Sequence, residues 1–126
     1  MIEEYFQQVE NALREFPIIR SYALSKKVYN AQQGMISGKI MFENGSRLDF
    51  LEVIDIEREA KLKYRYHFMD RSLRLIFRYD NAPHHPQVKS FPHHKHIVKG
   101  IMTSIEPSLR DVLFEITRLV KKSRKK

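Results

Sequence analysis

Alternation of apolar and charged residues over 61–69 and 73–80 restricts the fold of this chain more than any other feature. The apolar positions of the two segments are Leu62, Tyr64, Tyr66, Phe68, Leu73, Leu75, Phe77 and Tyr79. Successive side chains of a strand point to opposite faces, so the pattern predicts a hairpin with one buried face. A two-residue loop at Asp70-Arg71 places all eight apolar side chains on that face.

The opposite face of this predicted hairpin is basic. The two-residue loop pairs His67 with Arg74 and Lys63 with Arg78. Like charges directly opposite each other destabilise a sheet, and an anion lying over them would relieve the repulsion. A solvated outer face, screened by salt, accounts for the same residues. The anion hypothesis assigns nucleic-acid binding to Lys63, Arg65, His67, Arg74 and Arg78.

Another hairpin is predicted within 34–57, around Asn44-Gly45, which is the strongest short hairpin signal. The phase of its apolar residues favours a three-residue loop, 44–46. On that register Glu52 falls on the apolar face, opposite Gly38. Burial of an ionised carboxylate is costly unless the group is paired. Either the register slips here, or Glu52 is a buried carboxylate that points into a polar pocket.

Helical periodicity marks both ends of the chain. Residues 2–16 form one amphipathic segment, which Pro17 ends. A second apolar stripe lies within about residues 104–122, where Ser104 or Ser108 can cap the helix. We therefore predict a single two-layer α+β domain over 1–126, with an antiparallel four- or five-stranded sheet, N- and C-terminal helices and a flexible basic tail, 121–126.

Composition and charge narrow the function. The absence of cysteine excludes a disulfide scaffold, a thiolate zinc site and a cysteine nucleophile. No apolar stretch approaches the ~20 residues that cross a bilayer, and the first residues do not predict a signal peptide, so we expect a cytoplasmic protein. Residues 61–126 hold 16 Lys and Arg against 5 Asp and Glu, whereas residues 1–60 are slightly acidic. This asymmetry favours a polyanionic partner.

The segment 80–96 points to chemistry. It holds five of the six histidines, and three prolines stiffen its backbone, so we predict an ordered functional loop. Three roles remain open. Imidazoles can serve as base and acid in cleavage of RNA by its 2′-OH, with Lys95 and nearby arginines at the phosphate. They can bind a divalent metal with Asp80 or Glu52. They can also be surface histidines that only hold the loop in place.

A family resemblance accompanies this loop. The run Arg78-Tyr79-Asp80-Asn81-Ala82-Pro83-His84-His85-Pro86, with Phe91-Pro92-His93-His94-Lys95-His96, resembles the signature of the TumE-type toxin family. The resemblance extends over residues 35–97. It implies a small prokaryotic toxin of a type II toxin–antitoxin module, ribonuclease activity, and a helix-turn-helix antitoxin as partner. The candidate catalytic residues are then Asp80, His84, His85, His93, His94, Lys95 and His96.

The resulting hypothesis is an endoribonuclease toxin that uses histidine acid–base catalysis and needs no cofactor. RNA and the antitoxin are the expected partners, a homodimer is a further expectation, and no membrane contact is expected. Two alternatives remain: a non-catalytic nucleic-acid-binding or regulatory module on the same basic face, and a metal-binding protein whose ligands are the loop histidines.

Overall fold

A computed structural model describes residues 1–124 as two helices and one seven-stranded sheet. The helices are α1 (Ile2–Leu13) and α2 (Leu109–Arg124). The strands are β1 (Ile19–Val28), β2 (Gln33–Phe42), β3 (Arg47–Asp55), β4 (Ala60–Met69), β5 (Leu75–Asp80), β6 (His94–Ile97) and β7 (Gly100–Thr103). The strands lie side by side in chain order, and each neighbouring pair is antiparallel.

The α+β class with helices at both ends is confirmed, but the predicted number of strands is wrong. The two additional strands, β6 and β7, lie in and just after the segment predicted as a long loop. Each has only four residues, and β6 reads His-Lys-His-Ile. So short and polar a stretch has no apolar alternation, and it becomes a strand because β5 offers a free edge with which to pair.

Both helices pack on one face of the sheet. The even-numbered residues of β3 and β4 point to that face and form the core with α1 and α2, including Phe6, Leu13, Leu48, Phe68 and Leu113. Each is at most 4% exposed. The other face, which we call the outer face, carries the alternate residues of each strand. It is the face where most of the predicted basic residues lie.

The β2–β3 hairpin keeps its predicted phase but not its predicted register. Gly38 pairs with Phe50 and Ile36 pairs with Glu52, two residues away from the predicted pairing. The connection spans residues 43–46 rather than 44–46 because Phe42 and Ser46 also join the turn through a backbone hydrogen bond. A shift of two residues leaves every side chain on its original face, so Glu52 is still buried.

The β4–β5 hairpin is displaced by four residues from the prediction. His67 pairs with Arg78, so the predicted pairs of His67 with Arg74 and of Lys63 with Arg78 are wrong. The carboxylate of Asp70 accepts the N–H groups of residues 72 and 74, which lengthens the loop to residues 70–74. Leu73, at a φ of 64°, is consequently 56% exposed and lies outside the buried face.

The helix boundaries follow local capping. Helix α1 ends at Leu13, before the predicted limit at residue 16. Helix α2 starts after Ser108, whose hydroxyl accepts the N–H of Asp111 at 3.0 Å while the Asp111 carboxylate accepts the Ser108 N–H at 3.0 Å. It continues through Arg124, so residues 121–124 of the predicted flexible tail are helical, and residues 125–126 lie outside the described part. Neither described helix has the length and apolar character needed to cross a membrane.

Candidate functional site

Three histidines meet on the outer face of the sheet. His94 and His96 alternate on β6 and therefore point to the same side, and His85 comes from the loop that connects β5 to β6. The ring centroids lie 4.8 Å apart for His94 and His96, 5.0 Å for His85 and His94, and 5.5 Å for His85 and His96. We call these three residues the histidine cluster.

Strand pairing places an acid and an arginine beneath the histidine cluster. On β5, Asp80 pairs with His94 and Arg78 pairs with His96. The Asp80 carboxylate lies 2.8 Å from Nε2 of His94 and accepts a hydrogen bond from Nε of Arg78 at 3.1 Å. A second guanidinium nitrogen, Nη2 of Arg78, lies 3.1 Å from Nε2 of His96. Asp80 and Arg78 therefore join two rings of the cluster into one network.

The His94 ring is held at both of its nitrogen atoms. Nδ1 lies 2.9 Å from the carbonyl oxygen of Pro92, and Nε2 faces the Asp80 carboxylate. Both neighbours are acceptors, and a ring that carries two protons donates to both. His94 is only 2% exposed. It is thus a rigid, nearly inaccessible part of the cluster.

The His96 ring has the opposite character. A guanidinium can only donate, so Nε2 of His96 accepts from Arg78 and carries no proton. Burial, followed by the charge of Arg78, lowers the pKa of His96, and Asp80 only partly opposes this effect. His96 is therefore neutral at pH 7 and can accept a proton.

A cationic pocket of about 330 Å³ opens beside the histidine cluster. It is lined by Lys63, Tyr64, Arg65, Arg78, Asp80, Asn81, Ala82 and His84. The side chains of Lys63 and Arg65 are exposed, and neither is in an ion pair with any of residues 1–124. Two unpaired cations beside a guanidinium form a site suited to a phosphate group.

Two of the predicted catalytic residues do not reach the cluster. Lys95 lies on the helix-packed face, where its Nζ is 2.7 Å from the Glu115 carboxylate of α2 and 4.8 Å from the ring centroid of Tyr79. His93 stacks on Tyr64, and its Nδ1 lies 2.9 Å from the tyrosine hydroxyl. Alternation along β6 sends Lys95 to the opposite face from His94 and His96, a consequence that requires knowing that this segment is a strand.

The predicted nucleic-acid-binding residues also separate. Arg65, His67 and Arg78 share the outer face, and Lys63 lies at the rim of the cationic pocket. Arg74 belongs to the loop 70–74 and forms an exposed ion pair with Asp70. It is therefore apart from the others, and the two-residue loop that placed it among them is wrong.

The metal hypothesis can be tested against this geometry. Donor nitrogens of the histidine cluster lie within 4.8 Å of one another, and imidazole and carboxylate groups are ligands that zinc and copper accept. However, the guanidinium of Arg78 already lies between His96 and Asp80, and Asp80 faces the remaining nitrogen of His94. A divalent ion would have to displace a cation that repels it. The arrangement fits proton transfer better than metal binding.

Glu52 is buried in a polar pocket, the second of the two predicted outcomes. Its carboxylate accepts hydrogen bonds from the hydroxyls of Tyr5 and Tyr66 and lies 3.8 Å from Nζ of Lys61. Burial, and then the charge of Glu52, raise the pKa of Tyr66. This network is on the helix-packed face, so Glu52 cannot complete a site with the outer-face histidines. Tyr5 and Lys61 are its partners that sequence reasoning missed, since neither stands out by motif or spacing.

The fold and the site define a small basic α+β domain whose antiparallel sheet carries a histidine cluster on a face without helices. The family model described as toxin TumE matches residues 9–123, and the chain belongs to this toxin family. The match extends well beyond the 35–97 segment that carried the resemblance. Membership makes the protein a toxin of a toxin–antitoxin system, with an antitoxin as its partner. Neither the comparison with curated proteins nor the comparison with solved structures produced a match.

Proposed function

We propose that this toxin is an endoribonuclease that cleaves RNA by proton transfer at the histidine cluster. The observation that supports this most directly is the convergence of His85, His94 and His96 on Asp80 and Arg78. In the proposed reaction the 2′-OH attacks the adjacent phosphorus and gives its proton to a base. The bond from phosphorus to the 5′ oxygen breaks, and that oxygen takes a proton from an acid. The products are a 2′,3′-cyclic phosphate and a 5′-OH end.

His96 is the base in this proposal. Its Nε2 is unprotonated and hydrogen-bonded to Arg78 in the free protein. A phosphate group is a stronger acceptor for a guanidinium than an imidazole is, since the pair is charged and bidentate. Arg78 therefore turns to the phosphate when RNA binds, which frees Nε2 of His96 for the 2′-OH. The same movement brings positive charge to the phosphorane as it forms.

His85 is the acid in this proposal, and His94 is a positioning residue. His85 is partly exposed on the β5–β6 loop, so its ring can reach the leaving 5′ oxygen. His94 is buried between Pro92 and Asp80 and cannot touch the substrate. Its role is to hold the other two rings at their present separation, because both lie against it in edge-to-face contact.

The cationic pocket binds the RNA backbone. Lys63 and Arg65 contact phosphates next to the scissile one, which gives affinity that falls with salt and carries little sequence preference. Tyr64 and Tyr66 are buried on the helix-packed face, as the sequence predicted, and offer no surface for base stacking.

The experiment compares RNA cleavage by the wild type, His85→Ala and His96→Ala, with His93→Ala as the matched control. Each purified protein is incubated with labelled RNA, with and without EDTA, and product ends are tested for a cyclic phosphate. We expect about 10²–10⁴-fold slower cleavage by the first two variants, no such loss by the control, and no effect of EDTA. Wild-type rates in folded His85→Ala and His96→Ala would refute the proposal, and loss of activity in EDTA would favour the metal hypothesis.

A non-catalytic RNA-binding module is the second candidate, because the cationic pocket by itself is sufficient for phosphate binding. It predicts that RNA stays intact, and that the double substitution Lys63→Ala/Arg65→Ala abolishes binding while changes in the histidine cluster do not. The finer predictions on partners, a helix-turn-helix antitoxin and a homodimer, belong to this proposal as well. Co-purification and light scattering test them.

A further inference from the structure

Strand β7 forms an open edge of the sheet that differs from the opposite edge. All four residues of β7 are exposed, and they include Ile101 and Met102. The other edge, β1, carries Arg20, Lys26 and Lys27. Charged side chains on an edge strand discourage pairing with another chain, and lysine is common in that role. Of the two edges, β7 is the one without this protection.

An apolar groove runs beside this edge on the helix-packed face. A pocket of about 520 Å³ separates the segment that follows β7 from helix α2, and its walls include Ile105, Val112 and Phe114. Ile105 is 84% exposed and Phe114 is 50% exposed. Adjoining apolar side chains left open to water in this way mark an interaction surface.

The same edge adjoins the histidine cluster on the outer face. Ile101 pairs with His96 and Thr103 pairs with His94 across the β6–β7 ladder. Neighbouring strands are separated by about 5 Å, so a strand added to β7 would lie about 10 Å from β6. Every second side chain of the added strand would point to the outer face, beside the cluster, and the others would point to the groove.

Charge decides which partner fits this edge. The chain has a net charge of +8, and the outer face near β7 contributes the exposed Lys63 and Arg65. A second copy of the chain would bring the same excess positive charge to the contact. An acidic segment of another protein would instead be attracted over a long range and would neutralise the face.

We propose that β7 and the adjoining groove bind an extended acidic segment of the antitoxin, which adds an eighth strand to the sheet. Its apolar side chains enter the groove between β7 and α2, and its carboxylates lie on the outer face next to His94 and His96. The segment then occupies the phosphate-binding face and excludes RNA, a consequence that rests on the proposed function. Main-chain hydrogen bonds provide affinity, and the alternating side chains provide specificity.

The test uses the full chain and a fluorescent peptide of about eight residues that alternates Glu and Val, the length of a long strand. A peptide that alternates Lys and Val is the charge control. Affinity is measured by anisotropy, and hydrogen exchange locates the amides that become protected. The variant Met102→Glu/Ile105→Glu changes the proposed edge, and Tyr22→Glu/Val28→Glu makes the matched change at β1. Circular dichroism verifies that both variants are folded.

We expect the Glu–Val peptide to bind, to protect the amides of residues 100–103, and to bind the Met102→Glu/Ile105→Glu variant about tenfold or more weakly. The β1 variant should bind as the wild type does, and the Lys–Val peptide should bind about tenfold or more weakly. Equal binding to both variants, or protection of β1, would overturn the inference. A dimer in light scattering that protects residues 100–103 without peptide would overturn it too, with a second copy as the occupant.

No RNA is present in the binding assay, so its outcome is independent of the proposed ribonuclease activity. Conversely, a wild type that leaves RNA intact but binds the peptide at β7 would refute the proposed function and leave the docking site standing.

Discussion

Replacement of Asp80 by asparagine tests the network on which the candidate site depends. In the wild type, Oδ1 of Asp80 faces Nε2 of His94 at 2.8 Å and accepts the N–H of Ala82 at 3.0 Å, whereas Oδ2 accepts from Nε of Arg78 at 3.1 Å. The asparagine side chain keeps the shape and one acceptor, which can still serve His94 and Ala82. Its NH₂ group then faces the guanidinium as donor against donor, so Asp80→Asn selectively breaks the contact with Arg78.

The cost of Asp80→Asn follows from the contacts that are lost. One hydrogen bond between charged groups contributes about 1.5–3 kcal/mol, and Asp80 is nearly buried, so solvent compensates little. With an m-value of about 2 kcal/mol per molar urea, the midpoint of unfolding should fall by about 1 M. The control Asp49→Asn, which removes a more exposed ion pair with Arg47 on the same face, should cost about 1 kcal/mol or less.

The same substitution changes the pH dependence of cleavage. The charge of Asp80 raises the pKa of His96, in opposition to burial and Arg78, so its removal lowers that pKa further. Protonation of the base limits the rate on the acid side, and the acid limb of kcat/KM should therefore move to lower pH in Asp80→Asn. Urea titration and a pH–rate profile measure the two effects. An unchanged midpoint together with an unchanged acid limb would refute the assignment of Asp80 to this network.

Three further predictions concern the helix-packed face. Lys95→Met should cost stability through loss of the Glu115 contact, visible in urea titration, while folded protein retains wild-type cleavage; a catalytic loss would contradict its placement. Glu52→Ala should destabilise the fold by about 3–5 kcal/mol, since it leaves Lys61 and two tyrosine hydroxyls without their acceptor. Because the pKa of Tyr66 is raised in the folded state, its stabilising effect is complete below the ordinary tyrosine value of 10.0 and is lost as the pH rises through the higher folded-state pKa. Tyr66→Phe should change the slope of unfolding free energy against pH above that value, and an identical alkaline slope would argue against it.

The strand faces were predictable from the sequence, whereas the strand registers were not. Phe68 and Tyr66 are buried as the alternation indicates, and Glu52 lies among them. Face assignment needs only the period of two, which survives any even displacement. Register depends on how many residues each turn consumes, and the side chain of Asp70 settles that number in the β4–β5 loop through two hydrogen bonds.

The site was predictable as a segment but not as a constellation. The density of histidines in 80–96 indicates a functional loop without any structure. Which rings converge depends on the pairing of β6 with β5, which sets His94 beside Asp80 and His96 beside Arg78. The same pairing sends Lys95 to the opposite face, and no spacing in the sequence distinguishes it from its neighbours.

By itself, the sequence determined the α+β class, the apolar face of the central strands, the basic second half and the family of this chain. These properties reside in local periodicity, composition and motif. Only the tertiary structure decided the number of strands, the membership of the histidine cluster and the separation of the Glu52 network from it. The physical reason is that a four-residue polar strand has no intrinsic preference strong enough to form alone. It forms when a neighbouring edge supplies its hydrogen bonds, and that edge then determines which side chains meet.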